Sequence, residues 1–343
     1  VRIKYRKNNY RDRLMIISKT PYRISFFGGG TDYPEWYLKN GGEVISSTIE
    51  KFLYITCRNL PPFFSHKHRI VYSKIEDVKK IENIKHNAVR EALKIYKKKI
   101  KNFNGLEIHY DGDLPARSGM GSSSTFVVGL INALNSFYNI SVMKKKLSKE
   151  SIYFEQKILK ETVGSQDQIA ASYGGFNSIK FNANNSFSVT PIFKDFNDAN
   201  KFSDNLILVF SGINRTAKFV AKTYVNKLSN KKKNEIKKIA EHVKLSKKFL
   251  KNKNFDDFGR LLHETWMIKK SLSNRVSTDL IDDIYKLGIN SGALGGKLLG
   301  AGGGGFVLFY VKKNLKKEFF KKMRNYICLP VKFTTKGSTI IKS

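Results

Sequence analysis

The chain has 343 residues, 41% of them hydrophobic and 13% aromatic. That is enough for two modest domains with a real core and too apolar for a disordered chain. Its 63 basic and 28 acidic residues give a formal net charge of +35, which points first to nucleic acid or an anionic membrane. The makeup weakens that reading: 50 of the basic residues are Lys and 13 are Arg, and Arg is the better reader of phosphates and bases.

Two cysteines, Cys57 and Cys328, stand in no metal spacing. A disulfide scaffold is excluded, and a reducing compartment, the cytoplasm, is expected. No apolar run approaches the roughly 18–20 residues of a bilayer span. Residues 1–14 are basic and lack the apolar stretch of a signal peptide. They are expected to be an extension or loose arm outside the fold.

In chain order, alternating apolar and polar residues predict strands over 16–27, 43–47, 52–58, 69–73 and 106–111. The spacing of Ala88, Ala92, Leu93 and Tyr96 predicts a helix over 84–101. A strongly apolar helix over 126–138 follows a glycine-serine loop, and another helix covers 151–160. A strand pair is predicted at 176–181 and 187–192. The Asn- and Asp-rich stretch 194–205 reads as a surface connection between a first domain, 15–195, and a second, 205–343. The second opens on a strand, 206–210, followed by helices at 216–228, 232–252, 255–273 and 278–289. In 232–252, Ile236, Ile239, Ala240, Val243 and Leu250 keep helical spacing among many lysines, as in a solvated amphipathic helix. Nine glycines lie within 288–305. A strand over 305–311, a basic helix over 314–326 and a strand over 330–335 close the chain. Strands and helices in mixed order, without an internal repeat, predict an α+β fold.

Candidate chemistry lies in three glycine-rich loops and one acidic element. The first loop runs Leu114-Pro-Ala-Arg-Ser-Gly-Met-Gly-Ser-Ser-Ser-Thr125 into the apolar helix. Gly119 and Gly121 remove side chains where backbone must approach a ligand. A helix start offers unpaired N–H groups and the positive end of the dipole. Serine hydroxyls there can bind phosphate oxygens or Mg2+. The alternative is an ordinary N-cap, for which Ser and Thr are preferred. No Lys follows the second glycine, so this is not a Walker A loop.

The second loop, 297–305, is flanked by apolar runs. A flexible linker between buried strands should be polar, so close packing on a ligand or another loop is expected. The third, 21–32, ends a strand in Gly28, Gly29 and Gly30 and then offers Asp32. Arg23, inside that strand, requires a partner if buried. It makes either a structural ion pair with Asp32 or another acid, or part of a functional site. In 155–167, Glu155 lies in a helix and Asp167 near the next helix start. An Asp there is usually a cap or dipole partner. Buried beside phosphate, it could instead orient and deprotonate a hydroxyl.

These segments occur in the same order in the GHMP kinases, named for galactokinase, homoserine, mevalonate and phosphomevalonate kinases. The resemblance covers almost everything from Met15 to about Thr335. FFGGGTDY, LPARSGMGSSS, VGSQDQIAASYGGFN, SGINRTA and GGKLLGAGGGGF look like the D-glycero-D-manno-heptose 7-phosphate kinases within that family. Galactokinase-like members carry Glu-His before the Thr-Asp. Here those positions are Gly29 and Gly30, which argues against galactose and leaves room for a bulkier sugar.

The resemblance implies an N-terminal domain with a left-handed βαβ unit, a C-terminal ferredoxin-like domain, and ATP in the cleft between them. It implies ATP-dependent phosphorylation of the anomeric O1 of heptose 7-phosphate, serving nucleotide-activated heptose for cell-surface polysaccharide. Pro115, Arg117, Ser118, Gly119, Met120, Gly121, Ser122, Ser123 and Ser124 would hold the ATP phosphates. Ser123 and Glu155 would reach Mg2+, with Ser122 the near alternative to Ser123. Asp167 would orient or deprotonate the sugar O1, with Arg23 nearby to offset charge. Asp32, Gly29, Gly30, Gly174, Gly175, Arg215, Gly302 and Gly303 would line the sugar. Arg215, Arg117 and Lys297 are candidates for the 7-phosphate. The competing readings are a kinase for fucose or a hexose and a non-catalytic sugar-sensing regulator. Charge alone raises salt-sensitive nucleic-acid association, without a recognised motif. Small molecules are the expected partners, with no specific nucleic acid, no membrane, and a monomer or homodimer.

Overall fold

The computed structural model describes residues 15–342 apart from 62, 102, 215–219 and 229. The basic extension 1–14 and Arg215 lie outside the described residues, as does part of the helix expected at 216–228.

Two sheets organise the chain. The first contains β1 (Ile16–Phe27), β2 (Gly42–Asn59), β3 (His68–Val71), β4 (Ile75–Val78), β5 (Leu106–Gly112), β6 (Phe176–Phe181), β7 (Phe187–Pro191) and β12 (Thr339–Lys342). Its order is β12-β1-β2-β5-β3-β4, with β6 beside β2 and β7 beside β6. The strands expected at 43–47 and 52–58 are one strand, β2, which β1 follows with register shifts. β3 and β5 run parallel, with α2 (Asn87–Lys99) between them in sequence, and the other paired strands are antiparallel. α3 (Ser122–Phe137) is buried on almost every face because it packs on β1 and β2 while other helices cover its back. That explains its unbroken apolar run.

The second sheet has β8 (Leu206–Phe210), β9 (Ala293–Leu298), β10 (Phe306–Val311) and β11 (Ile327–Pro330), all antiparallel, in the order β11-β8-β10-β9. Counted along the domain this is order 4-1-3-2, the split arrangement of a ferredoxin-like unit. Between β8 and β9 run α7 (Lys233–Lys251), α8 (Phe255–Lys270) and α9 (Asp279–Asn290). The basic helix α10 (Lys316–Lys322) links β10 to β11 and is shorter than the expected 314–326. No described helix is long and apolar enough to cross a membrane.

Two expectations are corrected. The stretch 194–205 is more than a surface connection, because it folds as α6 (Phe196–Ser203). Asp195 caps its start, accepting from Asn197 N at 2.9 Å, and Phe202 is fully buried. The Asn and Asp residues that suggested a loop occupy the cap and the exposed face. The second unit also does not keep all of 205–343. After β11 the chain returns to the first sheet, where Phe333 bridges to Ile49 and β12 lines the edge of β1.

An aromatic cluster joins the two sheets. Phe258 of α8 lies with its ring centroid 4.9 Å from Phe27 and 4.8 Å from Phe202, and Phe26 stacks on Phe176 at 5.2 Å. Such pairs add to the burial of large apolar rings. Phe258→Ala is expected to destabilise the protein by about 3–5 kcal/mol, read from the shift in its urea midpoint. A loss under about 1 kcal/mol would show that this cluster does not hold the two halves together.

Candidate active site

The loop after β5 turns into α3 through left-handed backbone at Arg117, Gly119 and Gly121, with φ of 62°, 82° and 76°. Gly121 is the N-cap and offers no side-chain cap. The serines do not cap either. Ser122 Oγ accepts from Arg117 N at 3.0 Å, while the Ser123 and Ser124 hydroxyls donate to Glu155 at 2.9 and 2.6 Å. The ordinary-cap alternative is thereby set aside. The start of this 16-residue helix has no side-chain cap, which favours an anion at its N–H groups. Ser118 and Met120 are fully buried, so only their backbone serves the loop. Their carbonyls accept from Phe306 N at 3.0 Å and Arg23 N at 3.3 Å. Pro115 and Arg117 are exposed.

The second glycine loop locks against the first. A Cβ on Gly300 would stand 2.7 Å from Gly119 Cα, and one on Gly119 would stand 2.6 Å from Leu299 O. Only glycine allows that approach. Gly302 and Gly303 pack on Val276, whose carbonyl accepts from Gly303 N at 2.9 Å.

β1 shifts register against β2 between Pro21 and Arg23. Such an irregularity re-aims a side chain. Arg23 Nε and Nη2 each donate to one oxygen of Asp167 at 2.6 Å, and Nη1 donates to Gly119 O at 2.8 Å. The ion partner of Arg23 is therefore Asp167. Asp167 lies in the first turn of α5 (Gln166–Tyr173). Its side chain is 21% exposed against 5% for Arg23, so the acid is the member of the pair that a substrate can reach.

Asp32 is buried beside this pair. Its Oδ1 accepts from Gly30 N and its Oδ2 from Gln166 Nε2, each at 3.0 Å, and its carbonyl accepts from Ser165 N at 2.9 Å. A Cβ on Gly164 would fall 1.8 Å from Oδ2, so that glycine makes room for the carboxylate. Burial, and then the charge of Asp167, push the Asp32 carboxyl up to about 6. A Cβ on Gly29 would meet nothing closer than Ser25 Oγ at 4.0 Å, and one on Gly30 would meet only Ile236.

The helix expected over 151–160 is instead α4 (Lys144–Tyr153) followed by a π-helical turn, Phe154–Ile158. Such turns recur at functional sites. This one carries Glu155, which is fully buried. Besides the two serines it accepts from Gln168 Nε2 at 2.5 Å. Burial raises its carboxyl to about 7 against the pull of those three hydrogen bonds, with the Asp167 charge adding to the rise.

Several expected residues lie elsewhere. Gly174 and Gly175, expected at the sugar, close the far end of α5, roughly 10 Å of helix from Asp167. There Gly174 packs on Lys336 and Gly337, and Gly175 N donates to Thr334 O at 3.0 Å. Lys297, a candidate for the 7-phosphate, is buried and donates to Phe26 O at 2.7 Å. Burial drives its amine well below the usual lysine range, with Lys269 and Arg23 adding to the effect. Arg215 lies outside the described residues. Other neighbours went unread in the sequence. The hydroxyls of Tyr33 and Tyr224 pair beside Asp32, and burial raises both. Gln166 and Gln168 flank Asp167 and were findable by position, whereas Tyr224 and Lys269 carry no local signal.

Comparison with known proteins follows the same lines. Residues 87–175 match the model of the GHMP kinases N terminal domain, and residues 246–327 match that of the GHMP kinases C terminal. A D-glycero-alpha-D-manno-heptose 7-phosphate kinase of Campylobacter jejuni is 32% identical over 319 residues, covering 90% of this chain and 93% of that protein. An L-fucokinase/L-fucose-1-P guanylyltransferase of Bacteroides fragilis is 26% identical over 339 residues, covering 88% of this chain and 35% of that protein. Among solved structures, a D-glycero-D-manno-heptose 1-phosphate kinase from Bacteroides thetaiotaomicron shares the fold, with a TM-score of 0.77 at 23% identity over 96% of this chain and 99% of that one. With both domains matched and nine-tenths of the chain aligned to one relative, this chain belongs to the GHMP kinases.

Proposed function

We propose that this chain transfers the γ-phosphoryl group of ATP to the anomeric O1 of D-glycero-D-manno-heptose 7-phosphate, forming the 1,7-bisphosphate and ADP. The supporting observation is Asp167, an accessible carboxylate fixed by Arg23 between the start of α3 and the buried Asp32. The choice of sugar rests on the likeness to the Campylobacter jejuni kinase and on the open space at Gly29. The product would feed nucleotide-activated heptose synthesis for cell-surface polysaccharide, in the cytoplasm.

The ATP phosphates would lie on the N–H groups at the start of α3. Arg23 holds both Asp167 oxygens, which leaves each oxygen a lone pair for a substrate hydroxyl. The sugar O1–H donates to one of them. As O1 bonds to the γ-phosphorus, the bond from that phosphorus to the bridging oxygen breaks. The O1 proton passes to Asp167, and ADP leaves with the bridging oxygen. An anomeric hydroxyl is more acidic than an ordinary alcohol, so a carboxylate suffices as the base. Asp32, ionised, accepts from other sugar hydroxyls. Arg117 and Arg215 are the candidates for the 7-phosphate.

Ser123 Oγ and Glu155 Oε1 would hold Mg2+. They stand 2.9 Å apart, and both are oxygen donors of the kind Mg2+ takes. Among the described residues no three His, Cys, Asp or Glu side chains converge on a metal. Two protein ligands suit an ion that completes its shell with phosphates and water. When bound, Mg2+ offsets charge on the β- and γ-phosphates.

Asp167→Ala is expected to lower kcat by about a hundredfold or more with ATP binding kept, and a near-normal rate would remove Asp167 as the base. Glu155→Gln is expected to raise the Mg2+ concentration for half-maximal rate by about tenfold or more. In the wild type the same concentration rises as pH falls through about 7, because only ionised Glu155 coordinates. An unchanged Mg2+ requirement in the variant would take Glu155 out of the ligand set. A panel of phosphorylated and free sugars, with phosphorus NMR of the product, tests the substrate. Equal use of heptose without its phosphate would overturn the 7-phosphate assignment.

A further inference from the structure

The cations around the transfer site are not equally committed. Arg23 places its guanidinium on both oxygens of Asp167 and on the Gly119 carbonyl. Lys269, in the last turn of α8, has no carboxylate partner among the described residues. Its Nζ donates to Leu298 O at 3.0 Å and to Gly300 O at 2.6 Å. Between those two carbonyls lies Leu299, whose own carbonyl abuts Gly119. Lys269, Gly300, Gly119 and Arg23 therefore form one chain of contacts: ammonium to carbonyl, loop against loop, carbonyl to guanidinium. An ammonium carries three N–H groups. Among the described residues, the third of Lys269 meets no oxygen or nitrogen acceptor, and the Trp266 ring lies 5.9 Å from the ammonium. Two carbonyl dipoles orient a charge without neutralising it, and a partly buried cation lacking a counter-ion is costly.

We propose that Lys269 serves the transfer site twice: it fixes the second glycine loop against the phosphate loop, and its remaining N–H meets the phosphate chain of the nucleotide. The proposal rests on the kinase reading above. Lys269 is then a cation available to the phosphates, while Arg23 is spent on orienting the base.

The electrostatics agree with the geometry. Burial, and then the charge of Arg23, lower the Lys269 amine to about 7. Arg23 faces it from β1 and Lys297 from β9, with Asp32 beyond Lys297 and Asp167 beyond Arg23. A bound phosphate chain supplies the missing counter-charge and raises the Lys269 pKa. Above pH of about 7, nucleotide binding therefore draws a proton onto the amine. Asp32 and Glu155 are largely ionised there and contribute little of opposite sign.

Calorimetric titration of Mg-ATP into the full chain at about pH 8, in buffers of different ionisation enthalpy, reads this proton. The wild type is expected to take up more than about half a proton per nucleotide. Lys269→Met and Lys269→Arg should each lose that uptake, the first for want of a titrating group and the second because arginine is already charged. In steady state Lys269→Met should lower kcat by about tenfold or more, and Lys269→Arg should recover part of it. Proton uptake that persists in either variant, or kcat for Lys269→Met within about twofold of wild type, would overturn the proposal. Should Lys269→Met fail to fold, the uptake by Lys269→Arg decides. If the wild type binds no ATP, the kinase reading itself falls. If it binds ATP without proton uptake, only the role of Lys269 falls.

Discussion

A guanidinium cannot be left alone inside a sheet, and the site is built around that constraint. Arg23 is 4% exposed in the buried half of β1. A charge so placed needs close, hydrogen-bonded partners. It takes three side-chain bonds that fix two different elements: two orient Asp167 at the start of α5, and one holds Gly119 in the phosphate loop. Gly119 in turn receives Leu299 and Gly300 from the second sheet. One buried cation thus sets the base, the phosphate loop and the join between domains together.

The same crowding sets the charges. Asp167 raises both Asp32 and Glu155, on top of their burial. The folded, ligand-free protein binds protons on these two acids up to higher pH than the unfolded chain does. Their contribution to stability therefore falls as pH rises from about 4 to about 7. Lys269 works the other way. Its folded pKa of about 7 lies below the unfolded value, so its penalty is full below about 7 and fades toward about 10. The three penalties overlap most near neutrality. Phosphate and a divalent cation would each add a charge opposite to one that this crowding penalises.

Much of the site is legible in the sequence because its requirements are local. Gly119 and Gly121 before a run of serines, three glycines before Asp32, and glycines between apolar strands each record a backbone need within a few residues. What escapes is pairing at a distance. Arg23 announces that it needs an acid, but the choice of Asp167 depends on a contact 144 residues away. Lys269 is one lysine among 50 until the fold sets it under Gly300. α6 reads as a loop because few apolar residues, Phe196, Ala199 and Phe202, mark its inner face, and the aromatic cluster that claims Phe202 is assembled from remote segments. Net charge is the least informative feature. The described site uses Arg23, Arg117, Lys269 and Lys297, four of 63 basic residues.

The pairing of β12 with β1 has a consequence for biogenesis. Residues Ile16 to Lys19 are made among the first of the fold, yet their outer partners, Thr339 to Lys342, are made among the last. Until those residues leave the ribosome, the outer edge of β1 presents unpaired N–H and C=O groups. The first domain therefore cannot finish its sheet before the second has been synthesised. Domains that close in turn along a nascent chain spend little time incomplete. Here the outer ladder at Ile16 to Lys19 stays open through most of translation, and shielding that edge falls to chaperones or to transient pairing within the chain.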